Sequence, residues 1–206
     1  MPDKFFDLAI VDPPYGIEDA SSATSRIAKY GQVKTANDYK PDAAYFKELF
    51  RVSKNQIIWG YNHLSDMLPS CTEFIFWYKH QPVETYAAGE LAWTSFGKTG
   101  KCFDFPYFGT YNADKHRIHP TQKPIKLYNW LIDKYIGGGR KILDTHVGSG
   151  SSRIAAYFAG IDFYGCEIDK DYFDKQQRRF EEECLNIITN PDTGQIIVEQ
   201  KLFDLL

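Results

Sequence analysis

The chain carries an abrupt junction near its start, where the apolar run Leu8-Ala9-Ile10-Val11 stops at Asp12-Pro13-Pro14-Tyr15-Gly16. Four consecutive apolar residues read as a buried strand. The two prolines cannot continue a hydrogen-bonded ladder, so the strand ends there in a stiff, extended exit. In an open α/β sheet the carboxyl ends of strands are where ligands bind. Asp12 then offers a carboxylate and Pro13 a carbonyl, both expected to be acceptors with no competing donor, and Tyr15 adds a flat ring. This set suits a planar heterocycle bearing an exocyclic NH₂. Such an amine is a poor nucleophile because its lone pair is delocalised. Two accepted hydrogen bonds favour a pyramidal nitrogen, concentrate the lone pair and stabilise positive charge as it forms. A bare Asp-Pro pair reads better as a strand-ending turn with its carboxylate in solvent. The strand together with all four residues makes the chemical reading the stronger one.

A second junction lies late in the chain. Lys141-Ile142-Leu143-Asp144 reads as a strand that runs through Thr145-His146-Val147 into Gly148-Ser149-Gly150, with a helix expected from Ser151. Strand, glycine turn and helix start together let a ligand approach bare backbone N–H groups. A dinucleotide fingerprint needs a third glycine, and Arg153 occupies that position. The turn therefore suits a ligand without a pyrophosphate. The next strand, Phe163–Cys166, leads to Glu167, where an acidic side chain can accept from ribose hydroxyls. Between the junctions, His119-Pro120-Thr121-Gln122-Lys123-Pro124 precedes a helical pattern. Thr121 and Lys123 at that helix start could reach a ligand carboxylate, and an ordinary helix entry with an exposed lysine is the competing reading.

The strand ending in Asp12-Pro13-Pro14-Tyr15 resembles the catalytic motif of amino-methylating DNA methyltransferases, which use S-adenosylmethionine. The His119–Pro124 run and the glycine turn are similar to that family's cofactor segments. The order, catalytic segment first and cofactor half later, resembles its permuted "beta" arrangement. His146-Val147 departs from the pair more common in the family, and the stretch left for target recognition is short. The resemblance implies Asp12, Pro13, Pro14 and Tyr15 as catalytic residues. It implies Asp144, His146, Gly148, Ser149, Gly150, Glu167, Thr121 and Lys123 as cofactor-binding residues, and no metal. The target base would be rotated out of double-stranded DNA and stacked on Tyr15. Asp before Pro-Pro-Tyr tilts the target towards adenine N6 over cytosine N4, which stays the alternative. Methylation at carbon 5 of cytosine needs a cysteine nucleophile, commonly in a Pro-Cys pair, and the chain has none. A protein-amide methyltransferase, a non-catalytic nucleotide-binding module and, more distantly, a dehydrogenase are competing readings.

The elements that must position these residues follow from periodicity. Apolar runs at Leu8–Val11, Gln56–Trp59, Phe74–Trp77, Lys141–Leu143, Phe163–Cys166 and Ile196–Val198 read as strands. Helices are expected from Ile125, with Pro124 at the entry and Gly137-Gly138-Gly139 as the stop, from Ser151, and after Asp169 as a cap. This alternation predicts one α/β domain over residues 1–206: a single Rossmann-like fold with a mainly parallel twisted sheet, an antiparallel strand and helices on both faces. The resemblance divides it into a catalytic half at about 5–96, a target-recognition insertion at about 97–118 and a cofactor half at about 119–206. It also implies that the last strand, near Ile196–Phe203, completes the cofactor half.

Residues 17–40 are polar and aperiodic, and are expected either to close over the flipped base or to be disordered. Residues 97–118 mix aromatics with Lys98, Lys101, Lys115 and Arg117, which are expected to touch phosphates and base edges unless the segment is a plain surface hairpin. The net charge of −3 argues against binding nucleic acid by bulk electrostatics but allows a local basic face. The four cysteines are scattered without zinc spacing and read as reduced thiols of a cytoplasmic protein. No stretch approaches the roughly 20 apolar residues that span a bilayer. Expected partners are double-stranded DNA and, for so short a recognition region, a second copy in a homodimer. Membrane association is not expected. The restriction-modification setting of a bacterium or phage is implied by the resemblance alone. Glu199-Gln200-Lys201-Leu202-Phe203 is loosely similar to short peptides that dock on bacterial sliding clamps, with the glutamine out of register.

Overall fold

The computed structural model describes residues 1–17, 39–108, 111–112, 114, 117–119, 121–189, 193 and 196–199. Its elements in chain order are β1 (Phe6–Val11), α1 (Ala43–Val52), β2 (Ser53–Trp59), α2 (Tyr61–Leu64), β3 (Phe74–Tyr78), β4 (Gly89–Thr94), β5 (Lys101–Asp104), α3 (Ile125–Tyr135), β6 (Lys141–Asp144), α4 (Ser151–Phe158), β7 (Asp162–Gly165), α5 (Lys170–Cys184), β8 (Ile187–Thr189) and β9 (Ile196–Glu199).

Seven strands form one sheet in the order β5-β3-β4-β2-β1-β6-β7. Neighbours run parallel except at β4, which is antiparallel to both β2 and β3. The expected mainly parallel Rossmann-like sheet with one antiparallel strand is what forms. Along β1 the side chains alternate between two cores, as a strand buried on both faces requires. Leu8 and Ile10 pack with Ile57, Ile142 and the α3 and α4 residues Leu127, Leu131, Ala155 and Ala156. Ala9 and Val11 pack with Ile58 and the α1 and α2 residues Phe46, Leu49 and Leu64. Helices thus cover both faces.

The caps behave as their side chains dictate. Asp169 accepts from the backbone N–H groups of Asp171 and Tyr172 and starts α5. Pro124 caps α3, and Gly137, at φ +56°, follows its end. Helix α1 was not anticipated, although Asp42 caps it through the Tyr45 N–H at 2.9 Å and Phe46 and Leu49 supply its buried stripe.

Two expectations about topology are corrected. β9 does not complete the main sheet; it pairs antiparallel with β8 in a separate two-stranded ribbon. Nor do residues 97–118 begin as an excursion from the fold. Residues 101–104 are β5, an edge strand parallel to β3, held by Phe103 packing against the core. Most of the 17–40 segment, Lys115 and the clamp-like residues beyond Glu199 lie outside the described residues.

The pairing fixes which residues share an end of the sheet. Val11 pairs with Ile58, Trp59 with Ala92, Tyr78 with both Gly89 and Asp104, and Asp144 with Gly165. The C-terminal ends of β1, β2, β3, β5, β6 and β7 therefore meet the N-terminal end of β4 along one rim.

Candidate active site

Asp12 lies on that rim immediately after β1, and both its oxygens are engaged. Oδ1 accepts from the Tyr15 hydroxyl at 2.5 Å, and Oδ2 is paired with the Lys123 ammonium. The expectation of an acceptor without a competing donor is thereby corrected, because the segment before α3 brings a buried cation onto the carboxylate. Lys123 is only 4% exposed, sits over the Trp59 ring at 5.2 Å and also pairs with Glu90 Oε2 at 3.1 Å. It therefore faces two protein carboxylates, the partners it has in place of the expected cofactor carboxylate in this structure. Burial alone would lower its pKa; Asp12 and then Glu90 outweigh burial and raise it. Glu90 is the first strand-interior residue of β4, and its outer oxygen Oε1 is paired with Lys79. Burial pushes the Glu90 carboxyl up, yet Lys123 and Lys79 hold it well below the usual carboxylate range.

Tyr15 stacks on His63 with ring centroids 5.2 Å apart and 15° between planes. Its seat is Gly60, which caps α2 at φ +79°; a Cβ there would stand 2.0 Å from Tyr15 Cε1. Burial and the neighbouring Asp12 push the Tyr15 phenol well above its ordinary pKa, so it stays a neutral donor.

The glycine turn sits beside this group at the end of β6. Gly148 and Gly150 hold φ +52° and +80°, and Gly150 caps α4. Asp144 is 1% exposed and points inward. It accepts from the Ser152 hydroxyl at 2.6 Å and from the His146 N–H at 2.9 Å. Asp144 therefore shapes the turn from within, and burial raises its pKa to about 6. Glu167 follows β7, accepting from Gly148 N–H at 2.8 Å on one oxygen and Asp169 N–H at 2.9 Å on the other. Each oxygen keeps a lone pair for a further donor, such as a ribose hydroxyl. His146 lies between Thr145, bonded to its Nδ1 at 3.0 Å, and the Tyr45 ring. Thr121 is exposed and bonded to His119 Nδ1 at 3.0 Å, while the His119 ring packs on Tyr172 at 4.4 Å.

One buried side chain ties these parts together. Arg179 on α5 donates to the Ser149 carbonyl at 3.0 Å, the Ser151 hydroxyl at 2.9 Å and Asp114 at 3.2 Å. Asp114 in turn accepts from Gln122 at 3.2 Å. The segment carrying Lys123 and the glycine turn are thus clamped to a single guanidinium.

Of the residues expected to contact DNA, Lys98 and Lys101 are at the wrong end. Lys98 N–H bonds Glu73 Oε2 at 2.8 Å before β3 begins, and Lys101 opens β5, so both lie at the rim opposite Asp12. A cluster in sequence is thus divided by a strand crossing the sheet, with Lys98 and Lys101 apart from Arg117. Arg117 stays on the Asp12 rim, over the Tyr107 ring at 5.5 Å, with Tyr107 N–H on the Lys79 carbonyl. Glu90, Lys79, His63, Tyr45 and Arg179 were not anticipated. Only Gly60, a glycine closing an apolar strand run, was a local signal that could have marked the Tyr15 seat. Among the described residues no group of His, Cys, Asp and Glu is placed to hold a metal ion, and no helix is long and apolar enough to cross a membrane.

The fold is that of a single Rossmann-like domain. The sequence profile of the N6/N4 methyltransferase family, described as DNA methylase, matches residues 43–178, and the chain belongs to that family. The match begins after the Asp12–Tyr15 segment. Over 82 residues, 40% of this chain, it is 34% identical to the DNA adenine methyltransferase YhdJ of Escherichia coli K12, covering 28% of that protein. The chain spans less than a third of the length of the first curated relatives it matches. The structure of TTHA0409 from Thermus thermophilus, a putative DNA modification methylase complexed with S-adenosylmethionine, superposes with a TM-score of 0.54 at 16% identity, covering 89% of this chain and 88% of that one. The cytosine-N4-specific PvuII DNA methyltransferase superposes at 0.55 with 14% identity, covering 87% and 81%.

Proposed function

We propose that the protein transfers a methyl group from S-adenosylmethionine to an exocyclic amine of DNA, with adenine N6 as the target. The observation that carries this reading is the placement of Asp12 and Tyr15 on the same rim as the glycine turn and Glu167. An amine at Asp12 can there face a ligand held by Gly148, Ser149, Gly150 and Glu167. These residues fit the cofactor: left-handed Gly148 and Gly150 shape the turn, with their N–H groups held by Glu167 and the Val147 carbonyl, Glu167 keeps acceptor capacity for ribose hydroxyls, and the nearby His146 is neutral and does not repel a sulfonium.

Bound there, the cofactor would supply a methyl group on sulfur that would pass to the amine nitrogen, the S–C electron pair staying on sulfur. The protein orients and preorganises. Asp12 Oδ1 and the Pro13 carbonyl accept from the amine, and the Tyr15 ring, seated on Gly60 and His63, carries the flipped base. As the nitrogen becomes cationic, the Asp12 carboxylate stabilises it until one proton leaves to solvent. Double-stranded DNA is the partner this reading requires, with Arg117 and Lys79 on the correct rim to meet phosphates. Similarity to YhdJ and the Asp before Pro-Pro-Tyr support adenine; cytosine N4 presents the same amine and is the second reading.

Nucleoside mass spectrometry of unmethylated DNA incubated with the protein and S-adenosylmethionine tests it. N6-methyladenine with wild type and none with Asp12→Ala, at retained cofactor binding, is the expected result. N4-methylcytosine instead would keep the mechanism and overturn the base. No methylated base from a protein that binds the cofactor would overturn the reading.

A further inference from the structure

Lys79, Glu90, Lys123 and Asp12 alternate in sign along one line of contacts that runs from the surface to the reacting rim. We propose that Glu90 is a positioning residue for methyl transfer, acting by neutralising Lys123 and never touching the base; this rests on the function proposed above.

An incoming amine must take one oxygen of Asp12. The Tyr15 hydroxyl on Oδ1 is neutral, lies in the partly buried rim and is released at the cost of one hydrogen bond. Lys123 on Oδ2 is nearly inaccessible to water, so separating it from Asp12 would strip a buried ammonium of one of its two carboxylates with no water to replace it. The amine therefore takes Oδ1, and Lys123 stays on Oδ2 throughout. That arrangement has a defect. Positive charge develops on the amine nitrogen while an ammonium already sits on the other oxygen of the same carboxylate. Asp12 and Lys123 alone sum to zero and give the forming cation little stabilisation. Glu90, 3.1 Å from Lys123, offsets part of the ammonium's charge and so leaves Asp12 better able to stabilise the forming cation. Lys79 holds the other Glu90 oxygen from the half-buried surface, over the Trp77 ring at 4.5 Å; it is one contact further along the line than Glu90 and offsets this effect only in part.

Steady-state kinetics of Glu90→Gln and of Glu90→Gln combined with Lys123→Met test the proposal. Glu90→Gln should lower kcat about 10- to 100-fold with KM for DNA and cofactor changed by less than about threefold. The double variant, with both charges of the pair gone, should turn over about tenfold faster than Glu90→Gln alone. A residue that merely holds the fold predicts the reverse order, since the double variant loses more contacts. Unchanged kcat in folded Glu90→Gln, or a double variant no faster than the single, overturns the proposal. Should Glu90→Gln not fold, the folded double variant decides: kcat within about tenfold of wild type supports the proposal, and a larger loss sinks it. Wild type measured alongside separates the two levels. An active wild type with an indifferent Glu90 removes only this inference, whereas a wild type that methylates no base removes the function on which it rests.

Discussion

His119 and His146 flank Asp12 from two different segments, and burial holds each imidazole down at about 4 even though Asp12 pulls both upward. In the unfolded chain both titrate near 6.5. Between about pH 6.5 and 4 the unfolded state therefore binds more protons than the native state, and native stability falls as pH is lowered through that window. Asp144 works in the opposite sense. Burial raises it to about 6, so below that pH the native state takes up a proton that the unfolded state still lacks. Asp114, also raised by burial, adds to the Asp144 side, while carboxylates held low, such as Asp7 and Glu90, add to the side of the histidines. The thermal midpoint should drop on going from pH 7 to pH 5, and the drop should be shallower in His146→Gln. Scanning calorimetry across that range reads it directly; a midpoint independent of pH, or one that rises on acidification, would contradict the buried neutral imidazoles. The same neutrality means that neither imidazole adds a positive charge near the place where a sulfonium is expected.

At the scale of elements, the site depends on how strand ends and helix starts are joined. Gly60 closes β2 in the left-handed region and bears the Tyr15 ring. Gly60→Ala imposes about 1–2 kcal/mol of backbone strain and pushes the ring away. Turnover should fall about 10- to 100-fold, with a modest loss in the urea midpoint. Wild-type turnover in that variant would mean that the seat of the ring does not matter. Arg179 joins α5 to the glycine turn and, through Asp114, to the segment carrying Lys123. Arg179→Met leaves Asp114 and the Ser149 carbonyl without this buried partner, and should cost about 3–5 kcal/mol in urea unfolding together with cofactor affinity. The elements themselves were legible where the signal was local. Asp12-Pro13-Pro14-Tyr15, the Asp169 cap and the Gly148-Ser149-Gly150 turn each declare their geometry within a few residues. β4 was not legible, because Gly89–Thr94 carries an apolar run of only Leu91-Ala92-Trp93 and is a strand through its pairing with β2 and β3. Glu90 and Lys79 were invisible for the same reason, since their meeting with Lys123 is a product of non-local strand order.

For the whole molecule, the sheet has a working rim and a back rim, and this separation is what composition alone concealed. Lys98, Lys101 and Arg117 fall within one basic and aromatic stretch, yet β5 carries the first two to the back. Lys98→Ala combined with Lys101→Ala should leave DNA affinity and turnover within about twofold of wild type, whereas Arg117→Ala should weaken DNA binding and reduce its salt slope by about one. Affinity measured against salt concentration checks both at once. A large effect of the double lysine variant would mean that DNA wraps around the sheet edge to the far rim. The net charge of −3 is no obstacle to this arrangement, because the cations that count are the few that the topology delivers to the working side.

Because β4 runs against its neighbours, it presents its beginning to the rim where the other strands present their ends, and this has a consequence for which changes in chain length the protein can survive. Residues added to the connection before Gly89 only enlarge a surface link. A single residue inserted between Glu90 and Ala92 would turn Glu90 to the opposite face of the sheet and bring an uncharged side chain to Lys123. Descendants of this chain should therefore vary freely in the span 80–88 while β4 itself admits gains or losses only in pairs.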